Sequence, residues 1–201
     1  TLIAALKAEI DRDGLSALRW GERAVALRAR LAFLHGLDMT WPDVSDSGLL
    51  AERETWLWPL LDAVQSIDAI ADGALEQGLR ALIPWDRQRA FDDLAPTRLT
   101  TPLGSAAIDY AAEGGPRVDI RVQELFGVTV HPTVGASRVP LTLALLSPAR
   151  RPIQMTKDLP RFWAGSWKDV RAEMRGRYPR PPWPENPAEA PPTNRVKPRG
   201  T

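Results

Sequence analysis

Residues 117–122, with the sequence RVDIRV, alternate charged and apolar side chains at every position. Because successive side chains of a β-strand point to opposite faces, this pattern predicts a strand with its three apolar residues toward a core. Leucines at alternate positions of residues 141–145 predict a second strand. The turn-forming runs at residues 113–116 and 147–152 favour hairpin connections. The middle of the chain is therefore predicted to form a small antiparallel sheet.

The pattern is compatible with two arrangements of this sheet, a closed barrel and an open sheet. A barrel of the OB type is possible for a series of short strands. Residues 123–127, with the sequence QELFG, are instead typical of a helical turn. That turn favours an open sheet packed on helices.

Upstream of the sheet, residues 1–94 carry apolar residues at intervals of three and four, which is typical of amphipathic helices. One stripe, in a helix starting near Ser16, consists of Trp20, Ala24, Leu27, Leu31 and Leu34. Ser47 is the predicted N-cap of a second helix, which Pro59 should kink or interrupt. Weaker helical patterns follow at residues 66–83 and 86–94.

The hydrophobic period changes near Pro96 from about 3.6 residues to about 2, which marks a domain boundary. We therefore expect an α+β fold. An N-terminal helical subdomain, residues 1–95, would pack with a small antiparallel β-sheet and a C-terminal helix, residues 96–178. An extended Pro-rich tail, residues 179–201, would follow.

The C-terminal helix is predicted to begin after Ser166 and to end near Tyr178, and Asp158 is a predicted N-cap of a preceding helix. The core face of the C-terminal helix would consist of Trp167, Val170 and Met174, and its basic stripe of Lys168, Arg171 and Arg175. The run PRPPWP at residues 179–184 cannot be helical and predicts a polyproline-like segment.

Charge is distributed unevenly along the chain. The formal net charge is +1, but residues 1–149 carry fourteen Lys and Arg against twenty Asp and Glu, whereas residues 150–201 carry twelve against five. The basic end also holds three of the eight tryptophans and ten of the nineteen prolines. Cations, aromatic rings and extended backbone together suit single-stranded RNA or DNA.

Ten residues of the basic end are candidate nucleic-acid contacts, the cations for phosphates and the tryptophan for a base. They are Arg150, Arg151, Lys157, Arg161, Trp163, Lys168, Arg171, Arg175, Arg177 and Arg180. An alternative is that some of these arginines dock onto the acidic body. Trp163 is equally compatible with stacking and with the core, and the sequence leaves both alternatives open.

Several kinds of chemistry are missing from the sequence. It contains no phosphate-binding loop, no dinucleotide fingerprint and no cysteine. The two histidines, His35 and His131, lack the spacing of a metal site. Two acidic pairs are interpreted as solvated helix faces rather than acid/base pairs, namely Asp92 with Asp93 and Glu52 with Glu54. No catalytic residue, metal ligand or cofactor site is therefore predicted in this chain.

The absence of cysteine fits a reducing compartment, and a cytoplasmic location is expected. No apolar run is long enough to predict a membrane span. The sequence begins at Thr1 and runs directly into a helical pattern. We interpret the chain as a piece of a longer protein.

Ten segments resemble one known family. They are residues 18–20, 41–43, 94–97, 121–127, 138–141, 146–159, 162–163, 170–179, 183–187 and 192–193. In these segments the chain resembles the C-terminal region of the HrpB-type bacterial DEAH-box RNA helicases, and the likeness extends over nearly the whole chain.

This resemblance implies a parent protein with two upstream RecA-like domains that bind ATP and Mg²⁺ and hydrolyse ATP. None of their motifs occurs in this chain, and no catalytic residue is carried over. The implied role is a non-catalytic accessory domain that assists RNA binding by the upstream motor domains, its expected partners being single-stranded RNA and that motor. The alternative is a protein-interaction or intramolecular clamp module without direct RNA contact.

Overall fold

Helices build the first part of the chain. The computed structural model describes residues 1–195, which divide into a unit of residues 1–95 and a unit from Pro96 onward. The helices of the first unit are α1 (Leu2–Asp13), α2 (Glu22–Leu37), α3 (Asp46–Ala51), α4 (Arg53–Trp56), α5 (Trp58–Leu61), α6 (Asp72–Ala81) and α7 (Gln88–Leu94).

Helix α2 begins later than the prediction from Ser16, because a carboxylate from α6 holds its N-terminus. The oxygens of Asp72 accept hydrogen bonds from the backbone N–H groups of Gly21 (3.0 Å), Arg23 (2.9 Å) and Ala24 (3.1 Å). Burial alone would raise the pKa of Asp72, but these bonds and the nearby guanidinium hold it below its usual value. A residue distant in sequence therefore supplies the cap.

The predicted stripe of α2 is buried from Ala24 to Leu34, whereas Trp20 is half-buried and precedes the helix. The second predicted helix is divided into the three short helices α3, α4 and α5. Pro59 lies in the first turn of α5 and accounts for the break between α4 and α5, whereas a further break at Glu52 separates α3 from α4. The prediction of Ser47 as its N-cap is wrong. The hydroxyl of Ser45 accepts the capping hydrogen bond from the backbone N–H of Gly48 at 3.2 Å.

The second unit contains short strands followed by two helices. The strands are β1 (Arg98–Thr101), β2 (Gly104–Ala107), β3 (Arg117–Arg121), β4 (Thr133–Val134), β5 (Val139–Pro140), β6 (Thr142–Leu146) and β7 (Pro152–Thr156), and the helices are α8 (Leu159–Ala164) and α9 (Trp167–Arg177). Strands β1 and β2 form one hairpin and β4 and β5 another. The α+β fold class is confirmed.

The central sheet is mixed, which corrects the expectation of a wholly antiparallel sheet. Its strand order is β3-β6-β7, and β6 pairs parallel with β3 and antiparallel with β7. The connection from β3 to β6 includes a 3₁₀ turn (Val122–Leu125) and the β4–β5 hairpin. It is therefore long enough to bring the chain back to the end of the sheet where β3 starts, as a parallel pair requires. Hydrophobic alternation reports which face is buried and contains no information on strand direction.

Burial in the sheet follows its topology. In β3, Val118 and Ile120 are buried, as the alternation predicts. In the central strand β6, the neighbours Leu143, Ala144 and Leu145 are all buried, because this strand is covered on both faces. The hairpin expected across the turn at residues 113–116 is reduced to a single bridge between Asp109 and Arg117.

Helices α8 and α9 enclose an aromatic cluster. The carboxylate of Asp158 accepts from the backbone N–H of Arg161 at 3.0 Å, which confirms the predicted N-cap of α8. Ser166 precedes α9 as predicted but makes no capping side-chain bond. The core face of α9 is buried, and Trp167 lies at the centre of the cluster, with ring contacts to Phe126, Phe162, Trp163 and Trp183.

Residues 179–195, which we term the strap, follow α9. The indole N–H of Trp183 donates to the carbonyl of Tyr178 at 2.7 Å, and the indole N–H of Trp167 donates to the carbonyl of Pro184 at 3.0 Å. Farther along, two backbone hydrogen bonds join the strap to the segment after β3. The N–H of Gly127 donates to the carbonyl of Pro187 (2.9 Å), and the N–H of Thr193 donates to the carbonyl of Gln123 (3.1 Å). Residues 196–201 of the predicted tail lie outside the described residues.

Candidate nucleic-acid interface

A hairpin turn and a helix end come together in the second unit. The turn between β6 and β7 carries Arg150 and Arg151, both exposed. At its base the hydroxyl of Ser147 lies 3.3 Å from the hydroxyl of Tyr178, the residue that directly follows α9. The contact places the turn beside the last turn of α9, where the helix dipole favours cations.

The predicted basic stripe of α9 divides into two roles. Lys168 and Arg175 are exposed. Arg171 is half-buried, its Nε donates to the carbonyl of Trp183 at 2.7 Å, and its Nη2 lies 3.7 Å from a carboxylate oxygen of Glu185. Arg171 therefore holds the strap, and its partners lie in the basic end of the chain and not in the acidic body onto which the alternative would dock it.

Trp163 belongs to the core, which resolves the ambiguity left by the sequence. Its side chain is only 8% exposed, it contacts Phe162 with ring centroids 5.3 Å apart, and its indole N–H donates to the carbonyl of Val128 at 2.9 Å. Stacking on a base would require the ring to leave this cluster. We therefore withdraw Trp163 from the candidate interface.

Two further candidates have intramolecular partners. The ammonium of Lys157 donates to the carbonyl of Gly114 at 3.1 Å. Arg177 pairs with Glu173, one turn earlier in α9, at 3.4 Å. Both pairs are exposed, so they weaken these cations as phosphate ligands without removing them.

Six candidates are exposed and make no side-chain hydrogen bond or ion pair with another of the residues 1–195. They are Arg150, Arg151, Arg161, Lys168, Arg175 and Arg180, which we term the open cations. Four of them lie close in sequence to the Ser147–Tyr178 contact, which brings them to one end of the unit: Arg150 and Arg151 on the β6–β7 turn, Arg175 in the last turn of α9, and Arg180 just after it. Lys168 lies in the first turn of α9.

The structure also contains a charged cleft that the sequence reasoning missed. Its volume is about 420 Å³, and its charged lining consists of Arg98, Asp109, Arg117, Asp119, Glu124 and Arg150. These residues come from β1, β3, the segments around β3 and the β6–β7 turn. No local motif could reveal the cleft, because its members meet only through the strand pairings.

Both histidines have structural partners. Nδ1 of His131 accepts from the backbone N–H of Leu159 at 2.9 Å, so its Nε2 carries the proton and donates to the carbonyl of Leu141 at 2.7 Å. Nδ1 of His35 lies 2.7 Å from the carbonyl of Trp41. Across residues 1–195, no group of His, Asp and Glu is arranged to hold a metal ion.

The acidic pairs lie on the surface as interpreted from the sequence, with Asp92 bound by two arginines. Its Oδ1 accepts from Nη2 of Arg30 at 2.9 Å and from Nη2 of Arg80 at 3.0 Å. Within the described part of the chain, no helix is both long enough and apolar enough to cross a bilayer.

Comparison with known proteins identifies the family. The family model HrpB_C, described as the ATP-dependent helicase C-terminal, matches residues 56–187. The chain is 44% identical over 191 residues to the ATP-dependent RNA helicase HrpB of Escherichia coli (strain K12), which covers 94% of this chain and 24% of that protein. The chain thus spans about a quarter of the length of this relative.

Solved structures agree with this relationship. The crystal structure of the E. coli DExH-box NTPase HrpB matches with a TM-score of 0.84 and 41% identity, over 91% of this chain and 23% of that one. A structure of the E. coli DEAH/RHA helicase HrpB matches with a TM-score of 0.74 and 39% identity, over 89% and 23%. The resemblance read from the sequence is confirmed, and the chain belongs to the HrpB C-terminal family of ATP-dependent helicases.

Proposed function

We propose that this chain is a non-catalytic accessory domain that holds single-stranded RNA for an ATP-dependent RNA helicase motor. The observation that carries the proposal is the grouping of open cations at one end of the second unit, where the β6–β7 turn meets the end of α9. The choice of RNA and of a helicase motor as partners rests on family membership, since the relative is named an ATP-dependent RNA helicase. ATP and Mg²⁺ would be bound by the motor, outside this chain.

The contacts would be mainly to phosphates. The tryptophans of the second unit, Trp163, Trp167 and Trp183, are all buried, so none offers a face for a base. Cations that contact only phosphates add affinity without reading the sequence, and they release counterions on binding. The phosphate contacts therefore give the proposed interface a steep dependence on salt and no sequence preference of their own.

A fluorescence titration with single-stranded RNA at two or more salt concentrations tests this proposal. The double substitution Arg175→Glu with Arg180→Glu should lower affinity about tenfold or more at low salt and reduce the salt slope by about 2. A matched control is Arg19→Glu with Arg89→Glu, which makes the same charge change at exposed positions of the first unit. Equal losses in both variants would mean that only net charge matters, and no binding of the unmodified chain at low salt would refute the proposal.

A second candidate function is docking of the first unit onto another protein surface. Trp85 is 89% exposed and Met39 is 82% exposed. They lie on neighbouring loops, because Arg87 packs its guanidinium 3.7 Å from the Trp41 ring centre and donates to the carbonyl of Thr40 at 3.1 Å. Exposed tryptophan and methionine are typical of contact surfaces.

The docking role predicts different effects of one substitution in two contexts. In the isolated chain, Trp85→Lys should change the free energy of unfolding by less than about 0.5 kcal/mol, because the ring is exposed. In the full-length parent helicase, the same change should lower the thermal midpoint if another domain covers Trp85. Equal, negligible effects in the two contexts would remove this candidate. The control is Val130→Lys, which makes a similar apolar-to-lysine change at an exposed position of the second unit.

A further inference from the structure

The charged cleft of the second unit combines two arginines that are held in place, Arg98 and Arg117, with two carboxylates, Asp109 and Glu124, that form no ion pair with another of the residues 1–195. Nε of Arg98 donates to the hydroxyl of Ser105 at 2.7 Å, and Nη2 donates to the carbonyl of the same residue at 3.1 Å. Nε of Arg117 donates to Asp119 at 2.9 Å. Both guanidiniums are therefore oriented before any ligand arrives, which lowers the entropy lost on binding.

Arg150 lines the same cleft from an unfavourable backbone conformation. Its φ is 60°, in the left-handed region that glycine adopts at little cost and that other residues seldom occupy. The turn requires this conformation, because the backbone N–H of Arg150 donates to Ser147 and the backbone N–H of Ser147 donates to Arg151, both at 2.8 Å. Glycine would suit the backbone better than arginine, so the backbone does not explain the side chain.

Glu124 faces the cleft from the 3₁₀ turn after β3 and is half-buried. Among residues 1–195, no hydrogen bond or ion pair joins its carboxylate to another side chain or to the backbone. A simple anion would be repelled by this carboxylate as well as attracted by the arginines. A ligand with both an anionic group and N–H donors would use both kinds of residue.

We propose that this cleft receives one nucleotide of single-stranded RNA, with its phosphate on Arg150 and Arg98 and its base donating to Glu124. The inference rests on the proposed function and names the place where the strand is held. Guanidinium groups pair with phosphate through parallel N–H bonds, and glutamate accepts from the amino groups of bases. The volume of about 420 Å³ lies in the range of sites for small ligands.

The test uses two substitutions that a purely structural reading predicts differently. Arg150→Gly should hold or raise the thermal midpoint, because it relieves the left-handed arginine, yet it should weaken binding of a single-stranded RNA oligomer about tenfold. The matched control is Arg138→Gly, which relieves a φ of 53° in the β4–β5 turn. The control should hold or raise the midpoint equally and leave RNA affinity unchanged.

Glu124→Gln distinguishes a nucleotide from a bare phosphate. Removing the negative charge should strengthen binding if only phosphate enters the cleft, whereas it should weaken RNA binding about threefold to tenfold if a base donates to the carboxylate. Stronger binding of Glu124→Gln overturns the nucleotide assignment. Wild-type affinity in both Arg150→Gly and Glu124→Gln overturns the cleft while leaving the proposed function intact, and failure of the unmodified chain to bind RNA overturns the proposed function itself.

Discussion

Replacement of Trp183 by alanine should detach the first part of the strap from the second unit. The side chain is 7% exposed, contacts Trp167 with ring centroids 6.2 Å apart, and donates its indole N–H to the carbonyl of Tyr178. Loss of a buried tryptophan costs about 3–5 kcal/mol. The hydrogen bond from Arg171 to the carbonyl of residue 183 remains in the variant but is too weak to hold the strap alone. Most of the lost free energy should therefore appear as local opening of the strap.

Exchange of indole protons measures that opening directly. The indole N–H of Trp167 donates to Pro184 in the strap, whereas that of Trp163 donates to Val128 outside it. In Trp183→Ala, the Trp167 indole proton should exchange about a hundredfold to a few thousandfold faster by NMR, while Trp163 is unchanged.

A conservative variant gives the intermediate case. Trp183→Phe keeps a ring in the cluster and removes the bond to Tyr178, so it should accelerate exchange of the Trp167 indole proton only about fivefold. If the Trp167 indole proton in Trp183→Ala exchanges as slowly as in the unmodified chain, the strap is not held by Trp183 and the reasoning fails. Equal acceleration at Trp163 would indicate a global loss of stability instead.

Three further predictions concern stability. Gly36→Ala should stabilise α2 by about 0.5–1 kcal/mol, because its new Cβ meets open space. Gly78→Ala should instead destabilise the fold by about 1–3 kcal/mol, because its Cβ would lie 2.7 Å from the carbonyl oxygen of Trp56. The free energies of urea unfolding compare the two variants. Arg171→Ala should increase protease cleavage within the strap, with the exposed Lys168→Ala as its control. Asp92→Asn should lower the free energy of unfolding by only about 1 kcal/mol at pH 7, because solvent screens the half-exposed carboxylate, and the difference from the unmodified chain should shrink near pH 3.

The sign of the Asp92 effect follows from its pKa. Burial alone would raise the pKa, but hydrogen bonds from Arg80 and Arg30 outweigh it and hold the folded value below the usual one. A depressed pKa means that the stabilisation is present above the unfolded pKa and is lost as the pH falls through the folded one. A difference between unfolding midpoints that stays constant from pH 7 to pH 3 would contradict this assignment.

Local patterns predicted those features that depend on near neighbours in sequence. The core face of α9, the N-cap Asp158, the break at Pro59 and the buried positions of β3 are all as expected. Each depends on residues within about one turn or one strand, where periodicity and capping chemistry act. The family was also evident from the sequence, because long runs of matching residues carry more information than a short motif.

Contacts between distant segments decided the remaining features. The start of α2 depends on Asp72, which lies in another helix, and the parallel pairing of β3 with β6 depends on the path of a long connection. Neither leaves a trace in hydrophobic period. The same limit applied to Trp163, whose burial depends on the surrounding aromatic side chains.

The sequence by itself determined the α+β fold class and the concentration of positive charge at one end, because periodicity and composition are sums over local residues. Its matching segments, and not these sums, indicated the helicase family. Only the tertiary structure decided what each cation does. It docks Arg171 on the strap, leaves Lys168 and Arg175 in water, and brings Arg150 to a cleft with Arg98. The reason is physical: pairing and solvation depend on distance in space, and residues far apart in the chain become neighbours only when the strands pair.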